Sequence, residues 1–401
     1  MGYRYVILGA GRQGTACAYD LALFGEAERI VLADANPDFS QKSAERLRRL
    51  LPSSNTTRIE AVEISVQNHS DLMKVLRDAS AVMSAVPYYY NPRIARAAID
   101  AAVPMCDLGG DIEAVLEVQR LSGAAKAAGI AIVPDCGLAP GMNNILAVYG
   151  MERLDETVSV QIRCGGLPQI PRPPLAYRVV FNLDGMLNNY FGKAYVLRNA
   201  KVTEIETFSG LEKIRFPKPL GACEAFVTAG ATSSCPWTFE GRLQSYDYKT
   251  VRYAGHYEKI KLLRDLGLLD LRPVSVKGTS VAPRDLFVKV VGDRIAFPED
   301  RDLVVLRVIC RGRKNRRPAE VVLDMLEYHD PATGFSAMER TTGFSTGIVA
   351  AMLARGEIRE KGVVPLETAI PAGPFVKELG RRGMAVREKI VYRKNRRKIK
   401  G

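Results

Sequence analysis

Apolar and polar positions alternate between two periods along the first third of the chain. Arg4-Tyr5-Val6-Ile7-Leu8 is a short, nearly continuous apolar run, the pattern of a strand buried on both faces. Ala18, Leu21, Ala22 and Gly25 then recur at helical spacing on one face. A second strand, Ile30-Val31-Leu32-Ala33, ends at Asp34. The alternation continues with a helix over 44–51, a strand over 59–64, a helix over 70–77 and a strand over 81–86. Asn91-Pro92 supplies an N-cap and a first-turn proline for a helix reaching residue 101. A strand over 105–108, a helix over 112–128 and a sixth strand over 130–133 complete the series. Strands separated by helices in this way predict a doubly wound parallel sheet.

Near residue 150 the pattern changes. Period-two alternation marks residues 158–163, and Gly and Pro cluster at Gly165-Gly166, Pro168, Pro171, Pro173 and Pro174. Further strands are expected over 178–181, 194–198, 201–205, 224–227, 303–310 and 321–328. This grammar predicts an antiparallel α+β region, a candidate substrate domain. An apolar helix over 348–353 follows. The expected division is 1–138 for the nucleotide-binding domain and 139–339 for the substrate domain. Residues 340–380 form a C-terminal segment, and 381–401 a basic tail.

The first turn carries chemistry. Gly9-Ala10-Gly11-Arg12-Gln13-Gly14 is a full G-x-G-x-x-G placed between a strand and a helix, with Asp34 twenty residues beyond Gly14. In that context Gly9 allows the tight turn, Gly11 lets backbone approach a pyrophosphate, and Gly14 lets helix and strand pack closely. The helix N-terminus faces the phosphate charge. An acid at the tip of the second strand accepts from a ribose 2′-OH and repels a 2′-phosphate. Ala35 and Asn36 follow it, with no arginine to hold that phosphate, so NAD is expected over NADP. The plainer reading of the same residues is a glycine-rich turn beside a solvated strand end.

Composition adds limits. No apolar run approaches the ~20 residues that cross a bilayer. The N-terminus enters a strand with no basic segment ahead of it, so no signal peptide is expected. Seven scattered cysteines without a C-x-x-C pair suit a reducing cytoplasm and offer no metal-ligand spacing. The net charge is +13, but residues 381–401 hold ten Lys or Arg and one Glu, leaving +4 for the rest. Such a tail is expected to be solvated, with nucleic acid as its less favoured partner.

A wider set of motifs matches a known family. Val86-Pro87-Tyr88 follows the fourth strand, and Asp107-Leu108-Gly109-Gly110-Asp111 the fifth. Asp135-Cys136-Gly137-Leu138-Ala139-Pro140-Gly141-Met142-Asn143-Asn144 follows the sixth. Gly230-Ala231-Thr232-Ser233, Arg252-Tyr253-Ala254-Gly255-His256, Thr342-Gly343 and Lys361-Gly362-Val363 come later. In their order these resemble the saccharopine reductase-like dehydrogenases, most closely the lysine 6-dehydrogenase branch. The resemblance implies a Rossmann domain completed by a C-terminal helix, an inserted domain built on a mixed sheet, and a homodimer or larger homo-oligomer. It also implies hydride transfer from the ε-amine carbon of lysine to NAD, release of ammonia, and cyclisation to Δ1-piperideine-6-carboxylate. A reductase of saccharopine or carboxynorspermidine type is the near alternative. An inactive NAD-binding regulator with a nucleic-acid-binding tail is the distant one.

Candidate residues follow. Gly9, Gly11, Arg12, Gln13, Gly14, Asp34, Val86, Pro87 and Asp107 are expected at the cofactor. Amine oxidation needs the free base, so a proton acceptor is required. Of three histidines, His256 is the substrate-facing candidate; it also stands where a helix begins. Asp111 is a second base, an anchor for the ammonium group, or an N-cap for the helix at Ile112. Tyr88 places a hydroxyl near the reacting carbon or packs as a lid. Arg252 and Arg178 are candidates for the α-carboxylate, with Asn143, Thr232 and Ser233 as neutral hydrogen-bonding groups.

Overall fold

The computed structural model of the protein describes residues 2–179 and 183–393. The first third supplies β1 (Tyr3–Leu8), β2 (Ala27–Asp34), β3 (Arg58–Glu63), β4 (Ala81–Ser84), β5 (Met105–Asp107) and β6 (Ala131–Val133). The inserted region supplies β7 (Glu156–Pro168), β8 (Lys193–Arg198), β9 (Lys201–Glu206), β10 (Glu212–Arg215), β11 (Ala222–Phe226) and β12 (Ser245–Tyr253). It continues with the short hairpin β13 (Val274–Val276) and β14 (Thr279–Val281), then β15 (Asp302–Lys314) and β16 (Arg317–Tyr328). Last come β17 (Gly362–Val363) and β18 (Arg387–Tyr392).

Seven strands form a parallel sheet in the order β17-β6-β5-β4-β1-β2-β3. Its central strands are apolar on both faces because helices cover both, and Val6, Ile7, Leu8 and Val82 are fully buried. Nine strands form the second sheet, in the order β10-β11-β12-β7-β15-β16-β18, with β8 on β12 and β9 on β8. Only β7 and β12 run parallel in it, so the sheet is mixed. The fold is thus a Rossmann-like parallel sheet with an inserted α+β domain.

The chain returns to the first sheet after the insertion. Helix Ser345–Ala354 is buried along all but its last residue, consistent with a sequence that is apolar all round. It packs on helix Arg12–Phe24 at close range. A Cβ at Gly343 would lie 2.6 Å from the Ala16 methyl, and one at Gly347 would lie 2.5 Å from Asp20 Oδ2. β17 then adds a seventh strand beside β6, which the sequence pattern did not predict because it is only two residues long.

Three expectations change. The helix over 112–128 is two helices, Ile112–Gln119 and Ser122–Ala127. Ser122 and Gly123 are weak helix formers, and the Ser122 hydroxyl accepts from the Val363 amide of β17. Of the strand expected over 178–181, Arg178 and Val179 are irregular, and residues 180 and 181 lie outside the described residues. The basic tail is not free from its first residue. Arg387–Tyr392 pairs with β16 as an edge strand, whereas residues 394–401 lie outside the described residues.

Just before that strand, Arg382 is buried against helix Arg12–Phe24. Its guanidinium meets Asp20 bidentately, at 2.5 and 2.9 Å, and also Glu378 at 2.5 Å. Side chains of both Asp20 and Arg382 are 1% exposed or less. Removing one member of a buried pair strands the other charge. Arg382→Met should therefore lower the unfolding free energy by about 3–5 kcal/mol. Asp20→Leu combined with Arg382→Met should recover much of that loss, as read by equilibrium urea denaturation.

Candidate active site

The nucleotide cradle is formed by the turn from β1 into helix Arg12–Phe24. Gly9 has φ +98°, and a Cβ there would meet the Ala85 carbonyl at 2.8 Å. A Cβ at Gly14 would collide with the Gly9 carbonyl, while Gly11 faces open space. Gly11 is also the N-cap, with no side chain satisfying the first helical amides. Open space before uncapped amides at a helix N-terminus fits a pyrophosphate. Asp34 ends β2, where its carboxylate accepts from the amides of Ala10 at 2.8 Å and Asn36 at 2.9 Å. It is thereby fixed beside the glycine turn.

Other expected cofactor residues diverge. Gln13 lines the cleft with its Oε1 buried and unpaired. Arg12 turns to Glu339 at 3.0 Å and Ser336 at 3.2 Å, tying the glycine turn to the end of the inserted domain. Val86 is half-buried and Pro87 exposed, in the connection between β4 and the turn Tyr88–Tyr90. Asp107, expected at the cofactor, is instead buried at the end of β5. Its Oδ1 accepts from the amides of Gly109 at 2.7 Å and Asp135 at 3.0 Å, which staples the ends of β5 and β6 together. Burial pushes its carboxyl up to about 6, against the pull of those amides.

Two adjoining cavities open beyond the carboxyl ends of the strands, between the sheet and the inserted domain, about 310 and 540 Å³ in volume. They share Gly109, Gly110 and Asn189. This is the place where open α/β sheets bind ligands. The first is lined by Gln13, residues 137–140, Thr250 and Arg252. The second is lined by Tyr88, Asp111, Lys193, Thr232 and Ser233.

Arg252 lies on β12. Its Nε donates to the Tyr190 hydroxyl at 2.9 Å and Nη1 to the Val251 carbonyl at 2.9 Å. The guanidinium also packs over the rings of Tyr177 and Tyr190. No carboxylate pairs with it within 4 Å among the described residues. Glu224 stands opposite in register, but its oxygens accept from the Gly255 and Tyr257 amides and cap the next helix. A buried guanidinium without an ion-pair partner, open to a cavity, is a carboxylate receptor.

His256 does not reach this cavity. It is fully buried at the start of helix His256–Asp265. Nδ1 lies 3.1 Å from the Leu175 carbonyl and must donate, because a carbonyl only accepts. Nε2 then accepts from the Tyr190 hydroxyl at 3.2 Å. Burial, then the nearby Arg252 charge, drives the imidazole pKa down to about 3, so the ring is neutral. His256 orients Tyr190, and Tyr190 orients Arg252; the histidine is a positioning residue.

The remaining candidates separate likewise. Asp111 lines the cleft and caps helix Ile112–Gln119 through the Ala114 amide at 3.1 Å. Tyr88 is 42% exposed at the rim. Thr232 donates to the Tyr195 carbonyl at 2.9 Å. Asn143 is fully buried beneath the site and donates to the Ala231 carbonyl at 2.8 Å, so it supports the loop rather than facing a ligand. Arg178 is half-buried with its Nε unpaired, and it lines neither cavity. Sequence reasoning passed over Tyr190 and Asp135. Nothing local marks Tyr190. Asp135 stood in a quoted motif without a role, although an acid directly after a buried strand was a signal.

Comparison with known proteins agrees with this architecture. Residues 5–133 match the saccharopine dehydrogenase NADP binding domain, and residues 137–384 the saccharopine dehydrogenase C-terminal domain. Mitochondrial alpha-aminoadipic semialdehyde synthase from Rattus norvegicus is 25% identical over 400 residues, 80% of this chain and 41% of the relative. The chain thus spans about two fifths of that protein. Saccharopine dehydrogenase [NADP(+), L-glutamate-forming] from Schizosaccharomyces pombe is 21% identical, covering 83% of this chain and 89% of the relative. Apo saccharopine dehydrogenase (L-Glu forming) from Saccharomyces cerevisiae superposes with a TM-score of 0.79 at 19% identity, over 97% of this chain and 100% of that one. With both of its domains matched in order around one cleft, the chain belongs to the saccharopine dehydrogenase family.

Proposed function

We propose that this protein is a pyridine-nucleotide-dependent oxidoreductase acting at a carbon–nitrogen bond of a basic amino acid, with lysine as the leading substrate. The observation that carries the reading is Arg252, one buried guanidinium without an acidic partner in the cleft. One such group suits one α-carboxylate. Saccharopine carries three carboxylates, whereas among the described residues Arg252 is the only arginine that lines either cavity, and Lys193, the lysine of the second, is paired with Glu204. Asp111, on the cavity wall beyond Gly109-Gly110, is the anchor for the substrate's ammonium group. Tyr88 borders the same wall and shields it from solvent.

The residues that would hold the cofactor are Gly9, Gly11, Gln13, Gly14 and Asp34, and when bound it supplies the hydride acceptor. NAD is favoured because the fixed carboxylate of Asp34 repels a 2′-phosphate. A saccharopine-type reductase using NADP is the second reading, favoured by the printed names of the relatives and of the matching domain.

A spectrophotometric screen at alkaline pH of lysine, ornithine and saccharopine, each with NAD and NADP, separates the two. Reduction of NAD with lysine, accompanied by ammonia, is expected; turnover of saccharopine alone would establish the second reading. NAD should be preferred over NADP by tenfold or more in kcat/KM, about 1.4 kcal/mol, and Asp34→Ala should narrow that ratio.

Arg252→Gln should raise KM for the amino acid about 10- to 100-fold, the loss of a charged hydrogen bond, with cofactor affinity by fluorescence unchanged. His256→Leu should raise KM through the loosened Tyr190 while leaving the shape of the pH–rate profile intact. A lost ionisation in that profile would restore His256 as the base.

A further inference from the structure

With His256 neutral and out of reach, and Asp111 assigned to anchoring the ammonium group and capping a helix, the reaction proposed above has no assigned proton acceptor. The junction between the two sheets holds a group that nothing yet described uses. Asp135 follows β6, is 2% exposed and has φ +65°. Its Oδ2 accepts from the Ser233 hydroxyl at 2.5 Å. Its Oδ1 is buried without a well-formed hydrogen bond, with the Gly110 amide close enough to favour the ionised carboxylate. That oxygen faces Gly109, where a Cβ would collide with it. Gly109 and Ser233 both line the cleft. Ser233 is itself held at φ +50°, a conformation that non-glycine residues rarely adopt. Two strained residues from different domains thus meet through one short hydrogen bond at the cavity wall. Strain of this kind persists only where the surroundings impose it, and it gathers at functional sites.

We propose that Ser233 and Asp135 form the proton relay of this site, with Ser233 touching the substrate and Asp135 as the terminal acceptor. The inference rests on the reading of the protein as an amine oxidoreductase. In the step, a substrate ammonium N–H bond breaks and its proton passes to Ser233 Oγ. The Ser233 O–H proton passes to Asp135 Oδ2. A free amine and a neutral Asp135 carboxyl result, with charge conserved and no redox change. The amine lone pair is then available to drive loss of hydride from the adjacent carbon.

The surroundings suit a group that gains a proton readily. The charged groups facing Asp135 are carboxylates, Asp107 from the end of β5 and Glu367 from helix Leu366–Ala369. Glu367 is held separately by the hydroxyls of Ser234 and Thr238. The adjacent Cys136 thiol is buried and pushed far above its ordinary range, so it stays neutral. Burial first, then Asp107, raises Asp135 to about 8, opposed by the Ser233 hydroxyl and the Gly110 amide. The relay therefore works as pH rises through about 8, where Asp135 becomes an acceptor. Because the native carboxyl holds its proton more tightly than the unfolded one, stability falls as pH rises from about 4 to about 8.

The test compares kcat/KM against pH for the wild type, Asp135→Asn and Ser233→Gly. Asparagine tolerates φ +65° and glycine φ +50°, so both variants keep the backbone. Both should lose about 100-fold near pH 8 to 9, the scale of a general base. The deficit should close toward about pH 10.4, where the ε-amine is itself free. A deficit equal at every pH means a structural role and overturns the relay; so does an unchanged profile.

Infrared difference spectra of wild type minus Asp135→Asn provide an arm independent of turnover. A protonated carboxyl band at pH 7 that fades above about pH 8 is expected; its absence overturns the proposal. If the wild type turns over no amine but shows this band, the functional reading has failed and the titrating carboxyl stands.

Discussion

The structure depends on a buried ion pair between the two ends of the chain. Asp20 sits on the first helix and Arg382 five residues before β18, yet their side chains are sealed together. Desolvating both charges is costly, and the bidentate geometry with Glu378 alongside offsets that cost only in one arrangement. The pair therefore specifies register more than it adds stability. It fixes how helix Ser345–Ala354 lies on helix Arg12–Phe24, where glycines 343 and 347 remove any side chain from the contact. The inserted domain, leaving after β6 and returning before β17, is held at both ends as a result.

That double attachment positions the cleft. The carboxyl ends of β4, β5 and β6 present residues from one side, and the loop at Gly230–Ser234 and strand β12 present residues from the other. Acidic and basic groups are divided between the two walls. Buried carboxylates gather on the Rossmann side at Asp107, Asp135 and Glu367, while Arg252 stands on the opposite wall. The basic amino acid proposed as substrate would match that division, with its carboxylate toward the inserted domain and its ammonium toward the sheet.

The Rossmann half was legible because its signals are local. Buried strands are continuous apolar runs, and the glycine turn has a fixed spacing to Asp34. Arg252, Thr232 and Ser233 were legible as cleft residues because they sit in glycine-marked motifs. His256 was misassigned for a physical reason. A lone histidine after Gly255 looks the same in sequence whether its ring faces a cavity or a carbonyl, and the Leu175 carbonyl lies 81 residues away in the chain. Strand β12 escaped notice although Tyr246, Tyr248, Thr250 and Arg252 alternate along it, because aromatic and charged residues masked the apolar face. The basic character of residues 381–401 concealed an edge strand, since lysine and arginine are also what an exposed sheet edge selects.

Helix Ser345–Ala354 has a consequence for synthesis of the protein. It covers apolar side chains contributed by residues before 140, so the first domain emerges from the ribosome with one face bare. More than two hundred residues must follow before the covering helix exists. During that interval the nascent chain resembles a half-built α/β layer with exposed aliphatic surface, a species prone to aggregate. The two domains are therefore separable on paper but not in time: the earliest-made sheet is among the last parts of the molecule to be completed.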